Sequence, residues 1–355
     1  MTDVSATASL TMTDLYQRLA DLGLSKRYLR TYILPDWWTD EVDEEPGVGV
    51  QAAFYLSRRL NLDIKPLLNG GKPAFVRKAQ AKFRASDNTD FQKMAIPYAV
   101  ALRVAEMIAD VCPQPYTDLS ALSIADIRQE ILRQNATVNL SSLIDFCWFK
   151  GIPVCHLNQF PNKVHRFQGM VVHFQSRPVV VVSLNDCSPA RLLFIVAHEL
   201  GHILAGHLDK EDCKVDSKIQ LESDDDEENE ANQVAAELLL GQFGISYDIW
   251  TQKYLSSEEL VAYSRKVASV NRADPGVIAM NVAWNRAKRA RGKKAERIAW
   301  ATSKKALATM EPGANAPVEV NHRLIERLNL LAPSETLSED DSKAYLRTML
   351  GLRSE

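Results

Sequence analysis

Cysteine is scarce and scattered: five residues in 355, at positions 112, 147, 155, 187 and 213, with no C-x-x-C among them. That excludes a disulfide framework and a four-cysteine zinc knuckle. Long hydrophobic runs are missing as well, since no stretch approaches the ~20 apolar residues that span a bilayer. The opening MTDVSATASLTMTDL lacks the basic head and apolar core of a secretory signal, so a reducing cytoplasm is the expected compartment. Nor is there an excess of charge of one sign. Lys and Arg number 42 against 45 Asp and Glu, a net charge of −3, so any affinity for nucleic acid or membrane needs a local patch. What is present, 46% hydrophobic and 25% charged residues, suits a globular chain with a buried core. The length allows two or three domains of ~100–200 residues.

After a small polar tail, DLYQRLADLGLSKRYLRTYILPDWW places Leu15, Leu19 and Leu22 at helical spacing, breaks at Gly23 and restarts behind Ser25 as N-cap. A second helix carrying Lys26, Arg27 and Arg30 is compatible with a helix-turn-helix unit, and equally with a helical bundle bearing a solvated basic face. TDEVDEEPGVGV reads as an acidic loop and QAAFYLSRRLNLDIKPLL as a further amphipathic helix. Residues 72–135 read mainly as helix, with QKMAIPYAVALRVAEMIADVC the strongest stretch.

Beyond Ala136 the character changes. VNLSSLIDFCWFKGIPVCHL reads as helix, Gly turn and strand, and GMVVHFQSRPVVVVSLND as a β-hairpin turning around Ser176–Pro178. SPARLLFIVAHELGHILAGHL follows as a long helix entered through Ser188 and Pro189, a good N-cap and N1 pair. This organisation predicts an α+β chain, mostly helical, with a small mixed β-sheet packed on the HELGH helix and helical N- and C-terminal regions. The expected divisions are a helical domain compatible with a helix-turn-helix over 1–70, a helical connection over 71–135, the α+β domain over 136–250 and a helical region over 251–355.

On an α-helix, residues i and i+4 lie one above the other. His198 and His202 can therefore aim ring nitrogens at one ion, with the separation a zinc ion needs. Glu199 lies beside that ion without being tied up as a ligand. There it can take a proton from an attacking water and deliver it to a leaving amine. H-E-x-x-H is a short motif, and the bland alternative is two hydrogen-bonded core histidines beside a salt-bridged glutamate. Its mid-helix, apolar setting favours the metal, because buried polar groups there need partners.

A catalytic zinc needs a third protein ligand and one open position. His207 falls at +9 from His198, where the H-E-x-x-H-x-x-G-x-x-H pattern requires +10, and reads as a helix-end residue. The helix starting in EENEANQVAAELLL is the better source. Ala231, Val234, Ala235, Leu238 and Leu239 form its apolar face, and Glu230 stands at the start of that face while Glu227 and Glu228 point to water. The expected ligand set is His198, His202 and Glu230, with Glu199 as base; Glu227 is the fallback ligand, and Glu237 is either solvated or a support behind the ligands.

KGIPV, then GMVV and RPVVVVSLND, then FIVAHELGHILAGH, then ENEANQVAAELLL stand in the order found in the ImmA/IrrE family of zinc metallopeptidases, which residues 140–245 resemble. The resemblance implies Zn2+ bound by His198, His202 and Glu230, with Glu199 catalytic. It also implies a zincin-like (gluzincin) fold whose edge strand receives an extended peptide, RPVVVVS being the candidate strand. Family members often cleave a helix-turn-helix repressor or antitoxin, which is the implied partner here, in the control of mobile elements, phage defence or stress responses. The family's usual phenylalanine is replaced by Val234, and its methionine-proline by the run from Leu239 to Gln242, changes of packing rather than of chemistry.

Three further features stand out. The run 285–305, NRAKRARGKKAERIAWATSKK, is strongly basic and is flanked by Trp284 and Trp300. That pattern suits a nucleic-acid backbone and stacked bases, or more simply a solvated amphipathic helix with its tryptophans in the core. ESDDDEENE reads as a solvated loop, or as a lid beside the metal. Cys187 and Cys213 lie near the HELGH helix in sequence, where a thiolate could occupy the open zinc position, though ordinary reduced thiols are the plainer reading. The function expected from all this is a zinc-dependent endopeptidase acting on a specific protein. The rival is a DNA-binding regulator with a structural or sensory zinc, its terminal helical regions on the DNA.

Overall fold

Five consecutive residues, Pro178–Val182, are apolar and every one of them is buried. A strand can be buried on both faces only at the centre of a covered sheet, and that is where this one lies. The computed structural model describes residues 10–76, 94–174, 177–208, 213–216, 225–242, 244, 246–249, 255–334 and 336–352. Its sheet has the order β1-β3-β2-β4, with β1 Val154–His156, β2 Gly169–His173, β3 Pro178–Val182 and β4 Cys213–Asp216. β3 runs parallel to β1 and antiparallel to β2, in the register Val171↔Val180. β4 runs antiparallel to β2, with Gly169 opposite Asp216. The expected hairpin is therefore present, closed by the mutual Phe174–Arg177 backbone bonds.

β3 is not the edge strand that RPVVVVS was expected to supply. Both of its sides are already paired, so it has no free N–H or C=O row to offer a peptide. The outer side of β1 is closed in another way: the Asn321 side chain accepts from His156 N at 2.8 Å and donates to His156 O at 2.7 Å.

Contacts divide the chain into two units. One comprises Met1–Asp110, Leu157–Arg166 and Ile325–Glu355; the other comprises Val111–His156 and Phe167–Leu324. In the first, Thr11 caps the helix Met12–Ala20, whose Leu15 and Leu19 are buried. Gly23 turns the chain at φ +86°, and Ser25 caps Lys26–Tyr28, which runs into a π-helical turn at Leu29–Ile33. Lys26 lies 3.0 Å from Asp40, and Arg30 lies 3.0 Å from Asp43. These two basic side chains are thus engaged by the acidic segment that follows them. The helix Val48–Leu60 carries Arg59 inward, where it reaches Ile33 O at 2.6 Å and Asp341 at 2.5 Å under the Tyr345 ring.

The second unit holds the sheet. Asn139 caps the helix Leu140–Phe149 through a capping box, Gly151 turns the chain at φ +72°, and β1 follows. The histidine helix, Pro189–Leu204, starts at Ser188 and Pro189 as expected. It packs on β2 and β3, on Leu140–Phe149, and on the carboxylate helix, Asp226–Leu240. Further helices of the unit include Ile124–Gln134, Ser257–Asn271, Pro275–Lys288 and Lys293–Met310. The core runs through Val171, Val180, Leu193, Val196, Leu200 and Leu238, all fully buried. The acidic run enters the carboxylate helix from Asp225, its N-cap; the lid expected of its earlier residues, 222–224, lies outside the described residues. No helix among the described residues is long and apolar enough to cross a membrane.

Candidate metal centre

His198 and His202 are fully buried one turn apart on the histidine helix, with Nε2 atoms 3.2 Å from each other. Two carboxylates meet them. Glu228 lies 3.4 Å from both Nε2 atoms, and Asp216 Oδ2 lies 3.3 Å from His198 Nε2 and 3.6 Å from His202 Nε2. One donor atom from each of the four falls within 4.8 Å of the others.

Two glycines make this closeness geometrically feasible. A Cβ on Gly201 would stand 2.8 Å from Ala231 O and 3.0 Å from Ala231 Cα, so only glycine lets the carboxylate helix lie so near the histidine helix. A Cβ on Gly169 would overlap Glu199 Oε1, so only glycine lets β2 run past the Glu199 carboxyl. That carboxyl is completely buried beside the Asp216 carboxyl, and no Lys, Arg or backbone N–H among the described residues donates to it.

Behind the histidines, second contacts fix their rings. Asn232 Oδ1 lies 3.0 Å from His198 Nδ1, which turns Nε2 toward the carboxylates. Glu228 and Asn232 repeat on the carboxylate helix the i, i+4 stagger that the histidines show on theirs. His202 Nδ1 lies 2.9 Å from His207 Nδ1, and His207 Nε2 lies 3.1 Å from Glu230.

Glu230 therefore does not join the histidine Nε2 atoms. Two residues beyond Glu228, it points away from the facing helix. Its side chain is 59% exposed, and it serves as the outer partner of His207. The fallback, Glu227, faces solvent and accepts from Lys214, which holds its carboxyl below the ordinary range. His207, expected only to end the helix, is the link between Glu230 and His202. Cys213 sits on β4, but the group that β4 sends to the histidines is Asp216; all five cysteines are free thiols.

Arg128 carried no signal in the sequence, yet it fixes the far end of the carboxylate helix. Buried on the helix Ile124–Gln134, it donates to Leu238 O (2.5 Å) and Leu239 O (3.0 Å), and also to Asn271 O (2.5 Å) and Arg272 O (3.3 Å). Its guanidinium thus satisfies last-turn carbonyls of two helices at once.

The electrostatics fit a divalent cation. Burial works against a charge on His198, but Asp216 and Glu228 outweigh it and raise the pKa to about 9. Burial likewise opposes the charges of Asp216 and Glu228, and the two histidines hold both carboxyls below the ordinary range, Asp216 far below it. Burial, then the charge of Asp216, pushes Glu199 well above the carboxylate range. Among the described residues these three acids have no Lys or Arg paired to them, only the two histidines, and form a set that two positive charges would complement. Two imidazoles with carboxylates are the donor chemistry that zinc accepts.

Residues 150–264 match the family model of the IrrE N-terminal-like domain, Peptidase_M78. The likeness read from the HELGH and ENEAN segments thus holds for this span, which contains all four clustered residues and Glu199. Neither the curated proteins nor the solved structures yield a match to the chain. A groove of about 1430 Å³ opens beside the IrrE-like centre, lined among others by Phe194, Ile195, Asn232, Trp284 and Trp300. The two tryptophans flanking the basic run therefore face this groove rather than the core, Trp300 with 39% of its surface exposed. Lys288 lies 5.6 Å over the Trp284 ring.

Proposed function

We propose that the chain is a zinc-dependent endopeptidase whose metal is held by His198, His202 and Glu228, with Glu199 as the general base. The observation that carries this reading is the Glu199 carboxyl, buried beside the paired histidines with no Lys, Arg or backbone N–H donor among the described residues. Burying a carboxyl without such a donor costs several kcal/mol, and a purely structural metal site has no use for one. Four clustered side chains would suit a structural ion as well; Glu199 is what favours catalysis.

When bound, the metal supplies Lewis acidity toward the scissile carbonyl and the attacking water. Glu199 takes the proton of that water and hands it to the departing amine nitrogen. Asn232 orients His198, and the pair His207–Glu230 orients His202, so that the rings need no rearrangement during reaction. The adjoining groove accommodates an extended segment of a protein substrate. A helix-turn-helix repressor or an antitoxin, met in the cytoplasm during mobile-element, phage or stress responses, is the substrate class the family likeness implies.

The test compares new protein N-termini in cells expressing wild type and Glu199→Gln, alongside the zinc content of both purified proteins. A cut found only with wild type, with zinc equal in the two, is expected. Equal zinc with identical N-termini under DNA damage and other stresses would overturn the peptidase and favour a regulator with a structural metal.

A further inference from the structure

Asp216 is the one member of the cluster that comes from a strand rather than from a helix. It ends β4, the last strand of the sheet, opposite Gly169, the residue against which Glu199 rests. Its main chain is held there, since Gln168 N donates to Asp216 O at 2.7 Å. Its side chain is only 6% exposed, and Oδ2 points between the two histidine Nε2 atoms, 3.3 and 3.6 Å away.

A catalytic zinc has three protein ligands and one open position, whereas a site with four protein ligands is closed. His198, His202 and Glu228 already make three. Building on the metal-centre reading above, we propose that Asp216 is a fourth ligand that closes the site, so that β4 acts as an internal plug. In this resting state the metal fastens β4 to the histidine helix. Admitting water and a scissile carbonyl requires Asp216 to withdraw, and β4 with it. A protein segment able to displace β4 from β2 would then open the site and fill the vacated strand position by main-chain pairing. The plug and the substrate compete for the same edge of β2.

The test uses the full chain loaded with Co2+, whose visible absorption reports the ligand set, and acetohydroxamate as the probe of an open position. The expected result is a wild-type spectrum that hydroxamate leaves unchanged and an Asp216→Ala spectrum that it shifts, with an apparent affinity at least about tenfold higher in the variant. A wild-type spectrum that shifts as readily as the variant's would overturn the plug while leaving the metal centre standing. Failure of wild type to bind cobalt at all would overturn both.

Hydrogen exchange on the wild-type protein gives a reading that does not depend on the variant's folding. Zinc is expected to slow exchange of the 213–216 amides about tenfold or more, and to have no such effect in His202→Ala. Stoichiometric zinc that leaves those amides unaltered would overturn the proposal.

Discussion

Replacing Gly201 with alanine would set a methyl group 2.8 Å from Ala231 O, 3.0 Å from its Cα and 3.2 Å from its carbonyl carbon. All three atoms belong to backbone, so no side chain can swing aside and the carboxylate helix itself has to move. Alanine gains about 1 kcal/mol of helix propensity over glycine, while overpacking a core contact costs about 1–3 kcal/mol. The two terms nearly cancel, so metal-free stability should fall by about 2 kcal/mol at most. Metal binding is the sharper readout, because the displaced helix carries Glu228 and Asn232 away from His198. Disturbing such contacts typically costs about 10–100-fold in metal affinity. At saturating zinc that removes about 1.4–2.7 kcal/mol of ligand stabilisation, or about 3–10 °C of the zinc-induced rise in Tm for a unit of this size. Thermal unfolding of wild type and Gly201→Ala, each in chelator and in excess zinc, measures both quantities. A variant with undiminished Tm in chelator and an undiminished zinc-induced rise would refute the claim that helix approach sets the site.

Glu228→Ala should lose stoichiometric zinc while Glu230→Ala keeps it, as metal analysis after dialysis would show; the reverse result would restore Glu230 as a ligand. Glu199→Gln should retain zinc and a Tm at or above wild type, since it removes a buried acid that faces the Asp216 carboxyl, yet show no peptide cleavage. Arg128→Met should lower unfolding stability by about 3 kcal/mol or more, because it leaves carbonyls of two helices without their donor. Arg128→Lys should not rescue it, since an ammonium cannot match a planar fork; denaturant titration would check both.

The side-by-side histidines were readable from one stagger, i and i+4, on a helix whose start Ser188 and Pro189 announce. The same stagger marks Glu228 and Asn232, and it was the signal that could have placed the carboxylate that this helix brings to the histidines. Reading the apolar face of ENEANQVAAELLL instead put Glu230 at its boundary, where the structure turns it to His207. β3 was misplaced for a related reason: PVVVV has no alternation, and an unbroken apolar strand belongs inside a sheet rather than at its edge. Asp216 and Arg128 were not legible at all. One lies in a short strand with no periodicity between two helices, the other on a helix 110 residues from the carbonyl it holds, and tertiary packing alone brings either into place.

The amide of Asn321 imitates, in one side chain, the donor and acceptor that a neighbouring strand would present to His156. Because it terminates the sheet at β1, and β3 and β2 are paired on both sides, growth of this sheet is one-ended among the described residues. An extended chain that joins it as it stands pairs with β4, the strand that carries Asp216. One asparagine at the opposite edge thereby makes the sheet directional, leaving among the described residues the β4 edge, the one beside the histidine–carboxylate cluster, as its open side.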